Sequence, residues 1–452
     1  MSDEQNLTRR RLLAASFGAA ALPLAACKSP VDQRNTGSAP PSGTGSAMAR
    51  NVRDFGAVGD GAADDTSAIR RACAGGSAPV VLYLPAGTYH VTEWPEMHDY
   101  SVIIGDGSDV TTIVYDQNGT LIVLNRKNRV SLKKLGIWVT GPKATAVSVS
   151  DSFRCSFDSV VLRGNHLSEN YPRFSEQRGV VLDQNSGGTA LVNCDINNFG
   201  LGIVTSCIQN YVTSSKFSSN YIGILGTGND NNAGLALANV EFVSDTNPKT
   251  TSQHIRVDGA ANDWWLTNVW FEGAEIALSI GDRDRGGPAQ FGMVNCKVAA
   301  RALCLELIHC RQPYLANVQF DRDMDHPFPV ELKVDPDHCP EGTAVNLISG
   351  ATAEIDPRTF PAGWNVTGRG TVSGAVFIGP VVARGTIPNQ DLLQAQGADG
   401  TVLSAVLPSG AWLSDRADAG VILKDPAGHY WRLSVSNEGR VETTALGQQR
   451  PF

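Results

Sequence analysis

Apolar and polar residues alternate in short runs that recur between residues 159 and 346. Aligned, six runs read Val192-Asn193-Cys194-Asp195-Ile196, Thr213-Ser214-Ser215-Lys216-Phe217, Ala238-Asn239-Val240-Glu241-Phe242, Thr267-Asn268-Val269-Trp270-Phe271, Val294-Asn295-Cys296-Lys297-Val298 and Ala316-Asn317-Val318-Gln319-Phe320. Each carries Asn or Ser, then a small residue, a variable one and an apolar one; Asn346-Leu347-Ile348-Ser349 is a seventh copy ending on Ser. From Asn193 the steps are 21, 25, 29, 27, 22 and 29 residues. A period in this range signals stacked repeats. The alternation inside each run is strand periodicity, not helix periodicity. Equivalent positions one coil apart would stack about 4.8 Å apart. A buried Asn at each sharp bend would bond backbone groups that the bend leaves unpaired, and do so again in the next coil. The pattern predicts an all-β chain, a right-handed parallel β-helix.

Residues 1–26 read as an address. Thr8-Arg9-Arg10-Arg11-Leu12-Leu13 resembles the twin-arginine export motif, and the Ala-rich run from Leu12 to Ala26 is short for a bilayer span. Leu24-Ala25-Ala26-Cys27 resembles a lipobox. These resemblances imply export by the twin-arginine route and lipidation of Cys27. The chain would then be anchored through lipid in the outer membrane or periplasm of a Gram-negative bacterium. The alternative is a signal peptide cleaved near Ala26. Lys28 follows Cys27, so nothing argues for retention at the inner membrane. Residues 28–49, rich in Ser, Gly and Pro, read as a flexible tether. The expected organisation is a signal over 1–27, a linker over 28–49, the β-helix over 50–380 and a small β module over 381–452.

The most specific stretch is Asn51-Val52-Arg53-Asp54-Phe55-Gly56-Ala57-Val58-Gly59-Asp60-Gly61, followed by Asp64-Asp65-Thr66-Ser67-Ala68-Ile69 and Val80-Val81-Leu82-Tyr83-Leu84-Pro85-Ala86-Gly87-Thr88-Tyr89. It resembles the opening of the pectate-lyase-like superfamily, which includes rhamnogalacturonases, epimerase-like domains, polygalacturonases and phage tailspikes. Beyond this stretch only the coil pattern agrees. The residues support the same reading on their own. Asp64 or Asp65 suits a helix N-cap, and Ile69, Ala72 and Cys73 line one face of a short helix. Such a helix would plug the open end of the core and stop edge-to-edge growth. The cap accounts for these Asp residues without a catalytic role.

From Ser101 to about Gly370 the pattern allows about ten coils, a rod on the order of 50 Å long. Residues 164–178 interrupt the rhythm with a polar, aromatic-bearing insertion, a length of loop that is usually functional or disordered. Tyr430–Val435, a turn through Asn437-Glu438-Gly439, and Val441–Leu446 predict a hairpin in the C-terminal module. The sequence leaves that module open among a cap, an element of a homotrimer and a glycan-binding patch.

Composition narrows the partners. The net charge is −8, and the address carries a net +1, so the mature chain stands near −9. That argues against nucleic acid. Apart from Cys27 there are eight Cys and no CxxC pair, which points to buried thiols rather than disulfides; Cys194 and Cys296 take inward positions.

The resemblance implies polysaccharide substrates and a cleft on one flat sheet walled by long turns. Mapped here, the floor strands begin at Gly179, Gly202, Gly223, His254, Ile276, Cys304 and Val330. Alternation then turns Asp183, Arg256, Asp258, Glu306, Glu331 and Lys333 outward, with His254 at a strand start. A lyase acting on a uronate needs a base and cations to hold enolate-like charge. Arg256, helped by His254 and by Arg173 or Arg178 from the insertion, suits that chemistry. A glycosidase needs two carboxyl groups roughly 5–10 Å apart, for which Asp230 and Asp258 form the pair. The alternative for Arg256 and Asp258 is a solvated surface pair. Tyr171 and Trp270 suit ring stacking against a sugar, although Trp270 could equally pack beneath a turn. The polygalacturonase signature has no counterpart in the central coils, and no clear calcium cluster stands on the floor, so no cofactor is expected, calcium being the one left open. Three functions remain: a polysaccharide lyase on a uronate-containing glycan, a glycoside hydrolase on the same scaffold, and a non-catalytic glycan-binding or envelope-assembly protein.

Overall fold

The computed structural model describes residues 49–452 apart from 77, 184, 208, 229–233, 324–325, 354, 369–371, 374–390, 398–400, 416–419 and 452. Cys27, nearly all of the tether and Asp230 lie outside the described residues.

The chain winds as a parallel β-solenoid of about 12 turns. Three parallel sheets form its faces. Sheet I runs from Arg50–Asn51 to Gly363–Thr367, sheet II from Asp60–Asp64 to Ile348–Ser349, and sheet III from Gly119–Asn125 to Val330–Val334.

The chain passes from sheet I to sheet II at a single residue with positive φ: Asn193 (53°), Ser214 (49°), Asn239 (55°), Asn268 (54°), Asn295 (55°), Asn317 (52°) and Asn346 (51°). Side chains other than Gly and Asn resist this left-handed conformation, which explains the Asn column. The expectation of buried amides is corrected here. The corner Asn side chains are exposed and bond to one another: the Nδ2 of Asn268 donates to Oδ1 of Asn239 at 3.2 Å, Asn317 to Asn295 at 3.1 Å and Asn346 to Asn317 at 2.8 Å. The bend leaves no backbone N–H for them, because the Asn239 and Asn268 amides already donate to the next coil's carbonyls, both at 3.0 Å. The buried role falls instead to Asn220, which accepts from the Phe199 amide at 2.9 Å and donates to the Ile196 carbonyl at 2.8 Å.

The residue three places after each corner points inward, apolar in all but the last coil, where it is Ser349. Phe217, Phe242 and Phe271 are in register, with ring centroids 4.6 and 4.9 Å apart and nearly parallel planes. All eight described cysteines are free and buried. Burial pushes the thiols of Cys194 and Cys296 up to about 11, so they behave as small apolar side chains.

The helix Thr66–Cys73 follows the first strand of sheet II and buries Ala68, Ile69, Ala72 and Cys73 in the core that also holds Leu82. The two Asp residues do different work. Asp64 accepts from the Thr66 amide at 2.9 Å, and the Thr66 hydroxyl and amide together hold its carboxyl below the usual range. Asp65 makes no cap bond; it clamps the preceding turn through the amides of Val58 and Gly59 at 2.6 and 3.1 Å.

Two three-stranded antiparallel sheets follow, Leu393–Gln396 to Trp412–Ser414 and Val421–Lys424 to Val441–Gly447. The second contains the expected hairpin, with Val435 opposite Val441 and Gly439 at φ 79°.

Candidate functional site

Sheet III forms a floor. One outward register runs Val181, Val204, Leu225, Arg256, Ser279, Glu306, Lys333 through successive coils. Small and apolar residues fill its upper part and charge its lower part. With one coil per step, Arg256 and Lys333 are roughly 14 Å apart. The Nζ of Lys333 stands 3.9 Å from the Glu306 carboxylate.

The wall on the exit side is the segment Gly281-Asp282-Arg283-Asp284-Arg285-Gly286-Gly287. Asp282 and Gly286 exchange backbone hydrogen bonds at 2.8 and 2.9 Å. The Asp282 carboxylate accepts from the amides of Asp284 and Arg285, both at 3.0 Å, and these bonds lower its pKa. Gly281 and Gly286 take φ of 92° and 87°, and a Cβ on Gly287 would overlap the His309 carbonyl. The sequence thus builds a tight turn that presents its two arginines to either side. Arg285 bonds Asp258 at 2.8 Å, and Arg283 bonds Asp335 at 2.8 Å.

Asp258 is 13% exposed and also receives the Nε of Arg256 at 3.6 Å. Its other oxygen, Oδ1, is buried without a hydrogen-bond partner. Asp258 therefore acts as an anchor between two guanidinium groups. Asp335 is 8% exposed. Burial alone would raise its carboxyl, but bonds from His338 and the amide of Asp337, with Arg283 nearby, hold it below the usual range. Beside the Asp335 anchor lies an open groove of about 630 Å³, lined by Asp282, Arg283, Glu306, Lys333 and Asp335 among others.

The wall on the entry side is the 164–178 insertion, which is firmly fastened. Gln177 is buried and donates to the carbonyls of Val139 and Gly141 at 3.0 and 2.8 Å. The buried ring of His166 reaches the Thr250 carbonyl at 2.9 Å, in the turn before the strand of Arg256. Burial lowers the His166 pKa. Tyr171 packs on Tyr221 with ring centroids 4.9 Å apart and hydroxyls 3.1 Å apart. The insertion therefore leans along the axis over the following coils.

The candidate residues scatter differently from expectation. Arg256 and Asp258 meet on the floor. His254 does not reach it: the ring is 2% exposed, packs between Phe242 and Phe271, and bonds the Glu272 carbonyl at 2.7 Å. Burial lowers its pKa to about 4, so it is neutral and internal. Arg178 lies three coils above Gln253 in another register. Arg173 covers the Phe174 ring at 5.2 Å. Neither is brought against Arg256. Trp270 stands on sheet II, where Lys297 lies over its ring at 4.4 Å. Glu331 shares the inward register of His254 and Cys304 and accepts from Ser349 at 2.7 Å. The register starts the floor strands at Ala277 and Glu331, one residue later than expected at Ile276 and Val330, and Glu331 faces inward because strict alternation back from Lys333 fails at the strand start, as it does for His254 before Arg256. Arg283, Arg285, Asp282 and Asp335 escaped sequence reasoning. The signal for the first three was the run of alternating charges closed by Gly286-Gly287. Among the described residues no group of three or more His, Cys, Asp or Glu is arranged to hold a metal ion.

Residues 49–233 match the family described as rhamnogalacturonase A/epimerase, pectate lyase-like. Over those residues the chain is similar to the pectate-lyase-like family, and its fold is a parallel β-helix. The match ends before Arg256, so the charged end of the floor lies beyond it. A probable glucan endo-1,3-beta-glucosidase of Arthroderma benhamiae is 39% identical over 82 residues, 16% of this chain and 9% of that protein. Mannuronan C5-epimerase AlgE5 of Azotobacter vinelandii is 42% identical over 92 residues, 17% of this chain and 9% of that protein. The chain thus spans under a tenth of each of these relatives. The A-module of Azotobacter vinelandii mannuronan C-5 epimerase AlgE6 aligns over 72% of this chain and 100% of its own, at 15% identity and a TM-score of 0.42.

Proposed function

We propose that this pectate-lyase-like chain acts on a polysaccharide in the sheet III groove, as a lyase on a uronate-containing glycan. The observation that carries the reading is the outward column Arg256, Ser279, Glu306, Lys333 on the floor, with Arg283 on the rim. The relatives named for mannuronan epimerisation and for glucan hydrolysis support a glycan as the substrate class.

Arg283 and Lys333 pair with the uronate carboxylate and hold the charge that develops on it. Glu306 takes the proton from the carbon beside that carboxylate. The freed electron pair forms the double bond, the glycosidic C–O bond beta to the carboxylate breaks, and the departing oxygen takes a proton from solvent. Asp258 fixes Arg256 and the Arg285 turn, so the cations are set before substrate arrives.

A hydrolase is the second reading, favoured by Asp282 and Glu306 lining one groove. Incubating the chain with uronate-containing and neutral polymers separates the two. New unsaturated ends mean a lyase, and new reducing ends alone mean a hydrolase. Binding without either product means a glycan-binding protein. We also propose that the chain is exported by the twin-arginine route and anchored through lipid on Cys27, which the motifs before the tether support.

A further inference from the structure

Sheet I carries a second groove, of about 370 Å³, on a different face from the charged floor. Its outward register runs Trp265, Gly292, Tyr314 in successive coils. A Cβ on Gly292 would overlap Cε3 and Cζ3 of Trp265. The indole therefore reclines across the next coil in a slot that only glycine leaves open. Trp265 remains 40% exposed and Tyr314 38% exposed. Beside this aromatic strip the amide of Gln290 meets that of Gln312 at 3.4 Å, and Glu341 completes the rim. Among the described residues that line the groove there is no cation.

We infer that this face is a binding site for a neutral hexopyranose chain, independent of the sheet III groove. A flat exposed indole offers the C–H face of a pyranose a stacking surface. Amide groups and one carboxylate beside it match ring hydroxyls, which both donate and accept. The lack of a cation and the presence of Glu341 disfavour a uronate, whose carboxylate would meet like charge. The assignment stands whether or not sheet III is catalytic, because no residue is shared.

Affinity electrophoresis of the full chain tests it, in gels holding soluble β-1,3-, β-1,4- or α-linked neutral glucans, or alginate. Retardation by at least one neutral glucan is expected, and any retardation by alginate through the sheet III groove should be the same in Trp265→Ala as in the parent. Trp265→Ala should weaken the neutral-glucan retardation about tenfold or more, and Gly292→Ala should do the same by displacing the indole. Glu306→Gln should leave it intact. Circular dichroism melts of Trp265→Ala should match the parent, since the side chain is half out of the fold. No retardation by any neutral glucan overturns the inference. So does a Trp265→Ala chain retarded by neutral glucan like the parent, or loss of that retardation in Glu306→Gln alone.

Discussion

Replacing Asn268 by Ala should destabilise the solenoid by about 2 kcal/mol, through backbone strain and not through a lost internal bond. At φ 54° an Ala side chain crowds its own backbone, at a cost of ~1–2 kcal/mol. The exposed amide bond to Asn239 at 3.2 Å adds a few tenths more. The backbone N–H keeps its partner in Val294, so that bond contributes nothing to the difference. For a solenoid of this size, entropies of ~2.1 cal/mol/K per residue turn ~2 kcal/mol into a Tm drop of roughly 3 °C. Asn268→Gly is the discriminating partner, because it removes the same amide but relieves the strain. Calorimetry should find Gly within about 1 °C of the parent and Ala clearly below it. If the two variants fall together, the amide ladder carries the stability, and the argument from φ is wrong.

Phe242→Ala, at the middle of the ring stack, should cost about 3–5 kcal/mol by opening a cavity between Phe217 and Phe271, read by denaturant midpoint. His254 gives the fold an acid sensitivity. Its folded pKa of about 4 lies below the unfolded value of about 6.5, so its contribution is complete above pH 6.5 and is lost as pH falls toward 4. The span is roughly 3 kcal/mol, and His254→Phe should flatten the pH dependence of Tm over that window. Cys27→Ala should move the chain from the membrane to the soluble fraction of its host, since the acyl chains would be its strong anchor; fractionation and mass spectrometry of the wild type check this.

The coil architecture was legible because its rules are local. A corner Asn or Ser and an inward, mostly apolar residue three places on sit within a few residues of each other, and the pair recurs every 21–29 residues. The role given to the Asn was wrong for a reason that sequence alone conceals. Whether a bend's amides are already paired depends on the next coil, some 20–30 residues away. The floor was readable to within one residue, but alternation does not hold at the first residue of each floor strand, where Glu331 and His254 face in although Lys333 and Arg256 two places on face out. His254 looked like a cation at a strand start because the long side chain was assigned to solvent. In the structure Gly223 in the coil above and Ala277 in the coil below leave the internal space that its ring fills. The anchoring of Asp258 by Arg285 could not be read at all. It joins two coils through a turn whose direction is set by the close approach of Gly287 to His309.

The central claim is that the sheet III groove cleaves a glycan by proton abstraction at Glu306, beside the cations of Arg283 and Lys333. The direct measurement is the appearance of unsaturated chain ends from a panel of uronate polymers, comparing the wild type with Glu306→Gln. The account predicts ends that accumulate with the wild type on at least one polymer, and a loss of about a hundredfold or more in Glu306→Gln at unchanged Tm. Equal rates in the two proteins, or a wild type that produces no unsaturated ends from any uronate polymer, would contradict it.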